Sequence, residues 1–345
     1  MTGTRKTQAV RLSTWRGLPE LTEAEVRDPA GDEVLVEVEA VGVCHSDLHV
    51  LDALPGALPY RLPFTLGHEI AGRVAAIGAH VQDVTIGERV VVYGPWGCGQ
   101  CRRCLAGQDN YCDHRAGLGW SGAGLGRDGG MAGHVLVPHS QYLVPTGLDA
   151  TQAAPLTDAG LTPYHAIAGL GDLGEDSAVA VVGVGGLGHL AVQLLRALTP
   201  SRVVAVDTRE DALDLARACG AHEGVLAGQA TALREGTRFD AVLDFVGTDT
   251  TLALGAATLR AGGTLAVLGS GGGHLTIGKP GPLPQGARLT LPFWGTRPDL
   301  HAVVALAEAG KLSVTTDVRP LSDAVQAFDD LRSGRVLGRV VLVPQ

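Results

Sequence analysis

The sequence predicts an α/β protein of two domains. One is mostly β and barrel-like; the other is a parallel sheet with helices on both faces. Three observations predict this. Up to about residue 155 the chain is a series of short alternating segments and turn clusters with little helical period. After residue 160, buried apolar segments alternate with amphipathic helical ones, the pattern of a covered parallel sheet. The length of 345 residues, 45% of them hydrophobic, suits two domains of ordinary size with ample core material.

Composition removes several function classes. With 18% charged residues the chain is not disordered by composition. Lys+Arg 27 against Asp+Glu 36 gives a net charge of −9, so the chain carries no overall basic footprint for nucleic acid. No apolar run is long enough to span a membrane. The opening MTGTRKTQAV has basic residues but no apolar stretch after them, which makes the cytoplasm the expected compartment. The 49 glycines imply many tight turns and close backbone approaches.

Residues 33–41 (EVLVEVEAV) alternate apolar and polar and are read as a half-buried strand; 69–78 and 88–93 are two more, broken by glycine. In the second part, SAVAVVGVGGLGHLAVQLLRAL is a buried strand, a glycine turn and a helix, and 203–207 (VVAVD) is the next buried strand. REDALDLARACGA is a helix ending at Gly220. The alternation continues with strands at 239–247 and 263–270, a helix around 250–260 between them, helices at 299–310 and 322–333, and a last strand at 340–344.

Four of the six cysteines fall within fifteen residues, as Cys98-x2-Cys101-x2-Cys104-x7-Cys112. Without an export signal disulfides are disfavoured. Short C-x2-C steps wrap a chain around one tetrahedral ion, so a zinc site with four thiolates and no vacancy is expected, a stabilising site and not a reactive one. An iron–sulfur cluster or disulfides are the alternatives. Cys219, at the end of a helix, is read as a small buried apolar residue.

Gly183-Val184-Gly185-Gly186-Leu187-Gly188 fits G-x-G-x-x-G between an apolar strand and a helix, the context that a dinucleotide-binding fingerprint requires. The first glycine makes the turn, the second admits the pyrophosphate, and the third lets helix and strand pack closely. Asp207 ends the next strand, nineteen residues after Gly188, where a carboxylate accepts from a ribose 2′-hydroxyl and repels a 2′-phosphate. NAD is therefore expected over NADP; Arg209 is the one residue arguing the other way.

Cys44-His45-Ser46-Asp47-Leu48-His49 follows the first strand, and Gly67-His68-Glu69-Ile70-Ala71-Gly72 opens the second. A thiolate and an imidazole from separate loops, with carboxylates near both, suggest a catalytic metal with an open position. With these motifs the whole chain resembles the zinc-dependent medium-chain alcohol dehydrogenases, and most of all the bacterial NAD-dependent secondary alcohol dehydrogenases. The segments PLTDAGLTPYHAI (155–167) and FWGT (293–296) add to the likeness.

The resemblance implies a GroES-like catalytic domain from residues 1–158 and 296–345, a Rossmann domain from 159–295, and a site in the cleft between them. It implies two zinc ions per chain and NAD. The catalytic zinc ligands would be Cys44, His68 and Asp158, with Glu69 an occasional visitor and Asp47 holding His68 in its tautomer. For Asp158 the alternative is a helix N-cap. Ser46 would contact the substrate oxygen and His49 would end a proton relay, or else only wall the pocket. Thr162, Val246, Leu268 and Arg339 would contact the cofactor; Arg339 would reach a zinc-side carboxylate or the pyrophosphate, unless it forms a surface salt bridge. Tyr60, Leu125, Phe293 and Trp294 would line an apolar substrate pocket, the last two being otherwise core or interface residues. The implied reaction interconverts hydrophobic alcohols with ketones or aldehydes. A polyol or aromatic alcohol dehydrogenase and a non-catalytic NAD-binding relative are the alternatives. A homotetramer, with a dimer second, is the implied assembly.

Overall fold

The computed structural model describes residues 3–229 and 238–345. The expected domain bounds also take in residues 1–2 and 230–237, which lie outside the described residues. The chain divides into two compact units, one of Met1–Asp158, Thr296–Glu308 and Val314–Gln345, the other of Ala159–Gly295 and Ala309–Ser313. The short Ala309–Ser313 segment joins the second unit, where the Gln193 side-chain amide donates to the Ser313 carbonyl at 2.9 Å and accepts from its N–H at 2.9 Å.

The first unit is built on a mostly antiparallel sheet. Its strands run Leu143–Pro145, Arg89–Val92, Glu69–Ile77, Val34–Gly42, Arg339–Val343 and Thr316–Pro320, with His134–Val137 also pairing to Val34–Gly42. Val34–Gly42 is central because its apolar residues are buried while Glu37 points out. Its pairing with Glu69–Ile77 shifts register twice, at Leu35/Val36 and Val38/Ala40. Such bulges bend and twist a strand. The bent strand delivers Gly42 opposite Glu69, and the chain then enters Cys44 and the helix His45–Asp52. A smaller sheet pairs Thr4–Leu12 with Glu20–Arg27 and with Phe64–Thr65.

Among the described residues the second unit holds six parallel strands in the order Glu223–Leu226, Arg202–Asp207, Ala178–Val182, Phe239–Asp244, Leu259–Val267, Arg288–Thr290. Strand Ala178–Val182 is buried at every position, as its unbroken apolar run requires. Val182, Val204, Val206, Phe239, Val242 and Leu265 form much of the core. The chain passes to opposite sides of Ala178–Val182 in successive excursions, so the sheet has its topological switch point at the end of that strand. The expected helices are Gly188–Leu198, Glu210–Ala218 and Asp249–Thr258, and Gly220 ends the second with φ +100°. Strand Leu259–Val267 starts four residues earlier than expected, its extra residues lying beyond a register shift at Phe239/Ala241. Cys219 is half-buried, not a core residue: it caps the last turn of its helix, and the Gln193 amide reaches its sulfur at 3.5 Å. Among the described residues no helix is long and apolar enough to cross a membrane.

Candidate functional site

Cys44, His68, Glu69 and Asp158 offer ligand atoms that all lie within 4.8 Å of one another. They come from three separated stretches. Cys44 is the N-cap of helix His45–Asp52. His68 follows Gly67, whose φ of +92° and whose contacts leave no room for a side chain: a Cβ there would lie 2.6 Å from Met131 and 2.7 Å from Val41. Asp158 ends the 3-10 turn Ala154–Thr157. The helix after it, Leu161–Ala168, is capped by Gly160 without a side-chain bond, so Asp158 is not that helix's N-cap. Its Oδ2 instead lies 3.3 Å from Cys44 Sγ and 3.6 Å from His68 Nε2.

Asp47 orders two of these groups at once. One carboxylate oxygen accepts the Cys44 N–H at 2.9 Å, and the other lies 3.3 Å from His68 Nδ1. Glu69 is fully buried and bound through both oxygens by the Arg339 guanidinium, with Nε at 2.9 Å. Arg339 Nη2 also reaches Asp158 Oδ2 at 3.5 Å. With 3% of Arg339 exposed, this is a buried ion pair and not a surface salt bridge. Space for Glu69 exists because residue 42 is glycine; a Cβ there would sit 1.8 Å from Glu69 Oε2.

The charge balance tests whether a metal fits. The Cys44 thiol and the buried carboxyls of Glu69 and Asp158 lie near the Arg339 guanidinium, and a third buried carboxyl, Asp47, lies against His68. Burial pushes the Glu69 carboxyl up, to about 7, while Arg339 pulls it down. Burial also opposes charging His68, but the neighbouring Asp47 and Asp158 outweigh it and raise the imidazole well above its ordinary value. Unbalanced negative charge away from water is costly. A divalent cation bound by a thiolate, an imidazole and a carboxylate would balance these carboxyls in place of the His68 proton, and this donor set suits zinc.

The second cysteine group is equally close. Sγ–Sγ separations are 3.5 Å for Cys101–Cys104 and 4.0 Å for Cys98–Cys104 and Cys101–Cys112, and all six cysteines are free. No disulfide forms here. Backbone N–H groups of Gln100 and Cys101 point at Cys98 Sγ, holding that thiol down at about 6, and those of Cys98 and His114 point at Cys112 Sγ. Gly97 leaves the hollow that Cys104 fills, since a Cβ there would lie 2.4 Å from its sulfur. Four sulfurs at this spacing, backed by amides, fit one tetrahedral ion.

In the second unit the glycine turn is built as its residue types require. Gly183 has φ +88°, and a Cβ on Gly188 would lie 2.0 Å from the Gly183 carbonyl. Gly185 faces open space, with Gly186 and Leu187 leading into the helix. Asp207 Oδ2 accepts the Val184 N–H at 2.7 Å and its Oδ1 the Arg209 N–H at 3.0 Å. The Arg209 guanidinium is held by both oxygens of Asp211, at 2.9 and 2.6 Å. Val246 and Leu268 follow the ends of adjacent parallel strands, and Thr162 is buried in helix Leu161–Ala168.

The remaining candidates divide between the units. Ser46 is half-buried and His49 exposed, one turn apart on helix His45–Asp52. Tyr60 donates to Ser121 Oγ at 2.9 Å and packs edge-on against Phe64, and Leu125 is buried. In the second unit Trp294 is buried with φ +54°, unusual for a bulky residue, while Phe293 is 40% exposed beside it. Positions that escaped the sequence reading include Gly42, Asp244 and His189. Gly42 carried a signal, a glycine closing an apolar strand. Asp244, whose Oδ1 accepts the N–H groups of Val246 and Gly247 at 2.9 Å, reads in sequence as any strand end. His189, buried with Nδ1 3.0 Å from the Gly185 carbonyl, lies within an ordinary helical pattern.

The chain is similar to known proteins over nearly its whole length. Residues 30–147 match the family described as alcohol dehydrogenase GroES-like domain, and 186–309 match zinc-binding dehydrogenase. An NAD-dependent alcohol dehydrogenase of Sulfurisphaera tokodaii is 35% identical over 340 residues, covering 94% of this chain and 96% of that protein. A D-arabinose 1-dehydrogenase (NADP(+)) of Saccharolobus solfataricus is 32% identical over 349 residues, covering 98% of each. Among solved structures, the alcohol dehydrogenase of Aeropyrum pernix superposes with a TM-score of 0.89 at 32% identity, over 98% of this chain and 100% of that one. The acetophenone reductase of Geotrichum candidum, solved with NAD, gives 0.84 at 32% identity, over 98% and 97%. With both of its units matched and full-length relatives above 30% identity, the chain belongs to the zinc-binding alcohol dehydrogenase family.

Proposed function

We propose that this protein is an NAD-dependent zinc alcohol dehydrogenase that interconverts hydrophobic secondary alcohols and ketones. The observation that carries the reading is the convergence of Cys44, His68 and Asp158 on one small volume. These three residues would hold zinc, which when bound is a Lewis acid that lowers the pKa of an alcohol. The turn Gly183–Gly188 would hold NAD, which when bound supplies a hydride acceptor. Ser46 holds the substrate hydroxyl proton at its Oγ and passes it toward His49, whose exposed imidazole delivers it to solvent. Asp47 keeps His68 oriented. Arg339 keeps Glu69 engaged behind the ligands and compensates its charge. Cys98, Cys101, Cys104 and Cys112 would hold a second zinc that shapes their lobe.

NAD is favoured over NADP by Asp207 at the end of its strand and by the engagement of Arg209 with Asp211. Tyr60, Leu125, Phe293 and Trp294 would form the apolar wall of the substrate pocket, which suits a bulky ketone such as the one named for the Geotrichum enzyme. A polyol or sugar substrate is the second reading, favoured by the similarity to the D-arabinose enzyme. A panel of sorbitol, benzyl alcohol, 2-butanol and 1-phenylethanol, with NAD or NADP and with or without a chelator, separates the readings. Highest kcat/KM on 1-phenylethanol or 2-butanol with NAD, abolished by the chelator, is expected. Highest kcat/KM on sorbitol overturns the apolar pocket, and undiminished rates after metal removal overturn the catalytic zinc.

A further inference from the structure

Arg297 belongs to neither candidate ligand set, yet its backbone and two of its guanidinium nitrogens grip the cysteine lobe while the third holds Gln141 beside it. Its Nε donates to Asp109 Oδ2 at 2.8 Å, its Nη2 to the Cys104 carbonyl at 2.8 Å, and its Nη1 to Gln141 Oε1 at 3.0 Å. Its own N–H donates to the Gly107 carbonyl at 2.9 Å. Pro298 closes on the same turn, since a Cβ at Gly107 would lie 3.0 Å from its Cδ. Asp109 has no exposed side-chain surface and also accepts the Tyr142 hydroxyl at 3.1 Å. Its carbonyl accepts the Cys112 N–H at 3.1 Å and Arg115 Nη2 at 2.5 Å. The segment from Cys104 to Cys112 is therefore clamped from outside by residues 297–298, which lie far along the chain.

A thiolate-bound ion leaves by losing its ligands one at a time, so its residence depends on how far each sulfur can drift before the ion is recaptured. We propose that Arg297 is the positioning residue for the lobe's metal: by fixing the Cys104 carbonyl and the Asp109 carboxylate, it holds Cys104 and Cys112 at ligand spacing and sets how slowly the ion escapes. This rests on reading the lobe as a metal site. The guanidinium fork matters as well as the charge, because a lysine ammonium beside Asp109 does not reach Cys104 and Gln141 together.

The test uses the full-length protein loaded with cobalt(II), following decay of the thiolate-to-cobalt charge-transfer absorption, dominated by the four-thiolate site, in excess EDTA. Arg297→Ala should release the lobe's metal about ten-fold faster or more, the usual effect of removing a partner that orients ligands. Arg297→Lys should be intermediate. Arg319→Ala, which removes an arginine bound to Asp317 and Asp330 instead, should stay within about two-fold of the parent and controls for general loss of stability. An Arg297→Ala rate within about two-fold of the parent, or equal acceleration by Arg319→Ala, overturns the proposal. If Arg297→Ala does not accumulate as folded protein, an unchanged Arg297→Lys rate overturns it. A parent that shows no cobalt–thiolate band overturns the metal reading of the lobe itself.

Discussion

Asp47 Oδ1 lies 3.3 Å from His68 Nδ1, while the same carboxylate accepts the backbone N–H of Cys44 at 2.9 Å. One side chain therefore orients two proposed zinc ligands that are twenty-four residues apart in sequence. Partners of this kind are worth about 10–100-fold in metal affinity. Asp47→Ala should lose the catalytic zinc at that scale while the cysteine lobe keeps its own. Zinc analysis after dialysis against a weak chelator should give about one ion per chain in the variant and two in the parent. Two ions retained with unaltered affinity would rule out the positioning role.

Ser46 stands one helical turn before His49, half-buried where His49 is exposed. A group that moves a proton in the transition state contributes about 10²–10⁴-fold. Ser46→Ala should lower kcat by an amount in that range while both ions and NAD binding are retained. His49→Gln should lower it less, because water can take over the outer step. Near-normal turnover in Ser46→Ala removes the hydroxyl from the mechanism.

How much of this was legible depended on distance along the chain. Cys98 to Cys112 and Gly183 to Gly188 are local patterns in which spacing alone states the geometry. The buried run Ala178–Val182 was equally plain; Val34–Gly42 was plain as a strand, but its alternation suggested one buried face where the neighbouring Leu35 and Val36 are both buried. Asp158 was different. Only resemblance singled it out, and its place beside Cys44 depends on a contact spanning 114 residues. Arg297 carried no signal at all, for its partner Asp109 is 188 residues away and an arginine opening a helix has many ordinary uses. The bulges in Val34–Gly42, which bend the strand toward the site, are set by pairing with Glu69–Ile77 and leave no mark in either strand alone.

Asp207 has two duties that one variant can separate. Its carboxylate holds the Val184 N–H of the glycine turn, and in the bound complex it would accept from the ribose. Asp207→Ser removes the charge that repels a 2′-phosphate, but leaves Arg209 bound to Asp211. Asp207→Ser should therefore raise the KM for NAD more than it improves NADP. Adding Asp211→Ala frees the guanidinium, and the double variant should then prefer NADP. Steady-state kcat/KM for both cofactors in the two variants decides it; a double variant no better with NADP than the single one shows that Arg209 does not reach the phosphate.

Acid stability should depend on the C-terminal helix Ala324–Arg332. Arg335, Arg319 and Gln326 donate to Asp330 and hold its carboxyl well below its ordinary value of 3.8. A group depressed in the folded state stabilises it at pH above the unfolded value, and that contribution is lost as pH falls toward the folded value. Asp330→Asn should lower Tm at about pH 7, and the gap to the parent should narrow progressively below about pH 4. Melting curves at several pH values check this. A constant gap across the range would show that the variant acts through packing and not through charge.

Among the described residues the edge strand Arg288–Thr290 pairs on one side only, with Leu259–Val267. An open edge is a template for another chain. Leu289 in this strand and Leu291 just after it are large apolar residues, 37% and 72% exposed. Pairing of this edge with the same edge of a second copy would continue the sheet and cover both leucines in the expected homotetramer. Leu291→Glu places a charge there. Light scattering on the eluted protein should show the parent as a tetramer and the variant at a lower mass, with the secondary structure unchanged by circular dichroism. A parent that elutes as a monomer, or a variant with the parent's mass, removes this edge from the assembly.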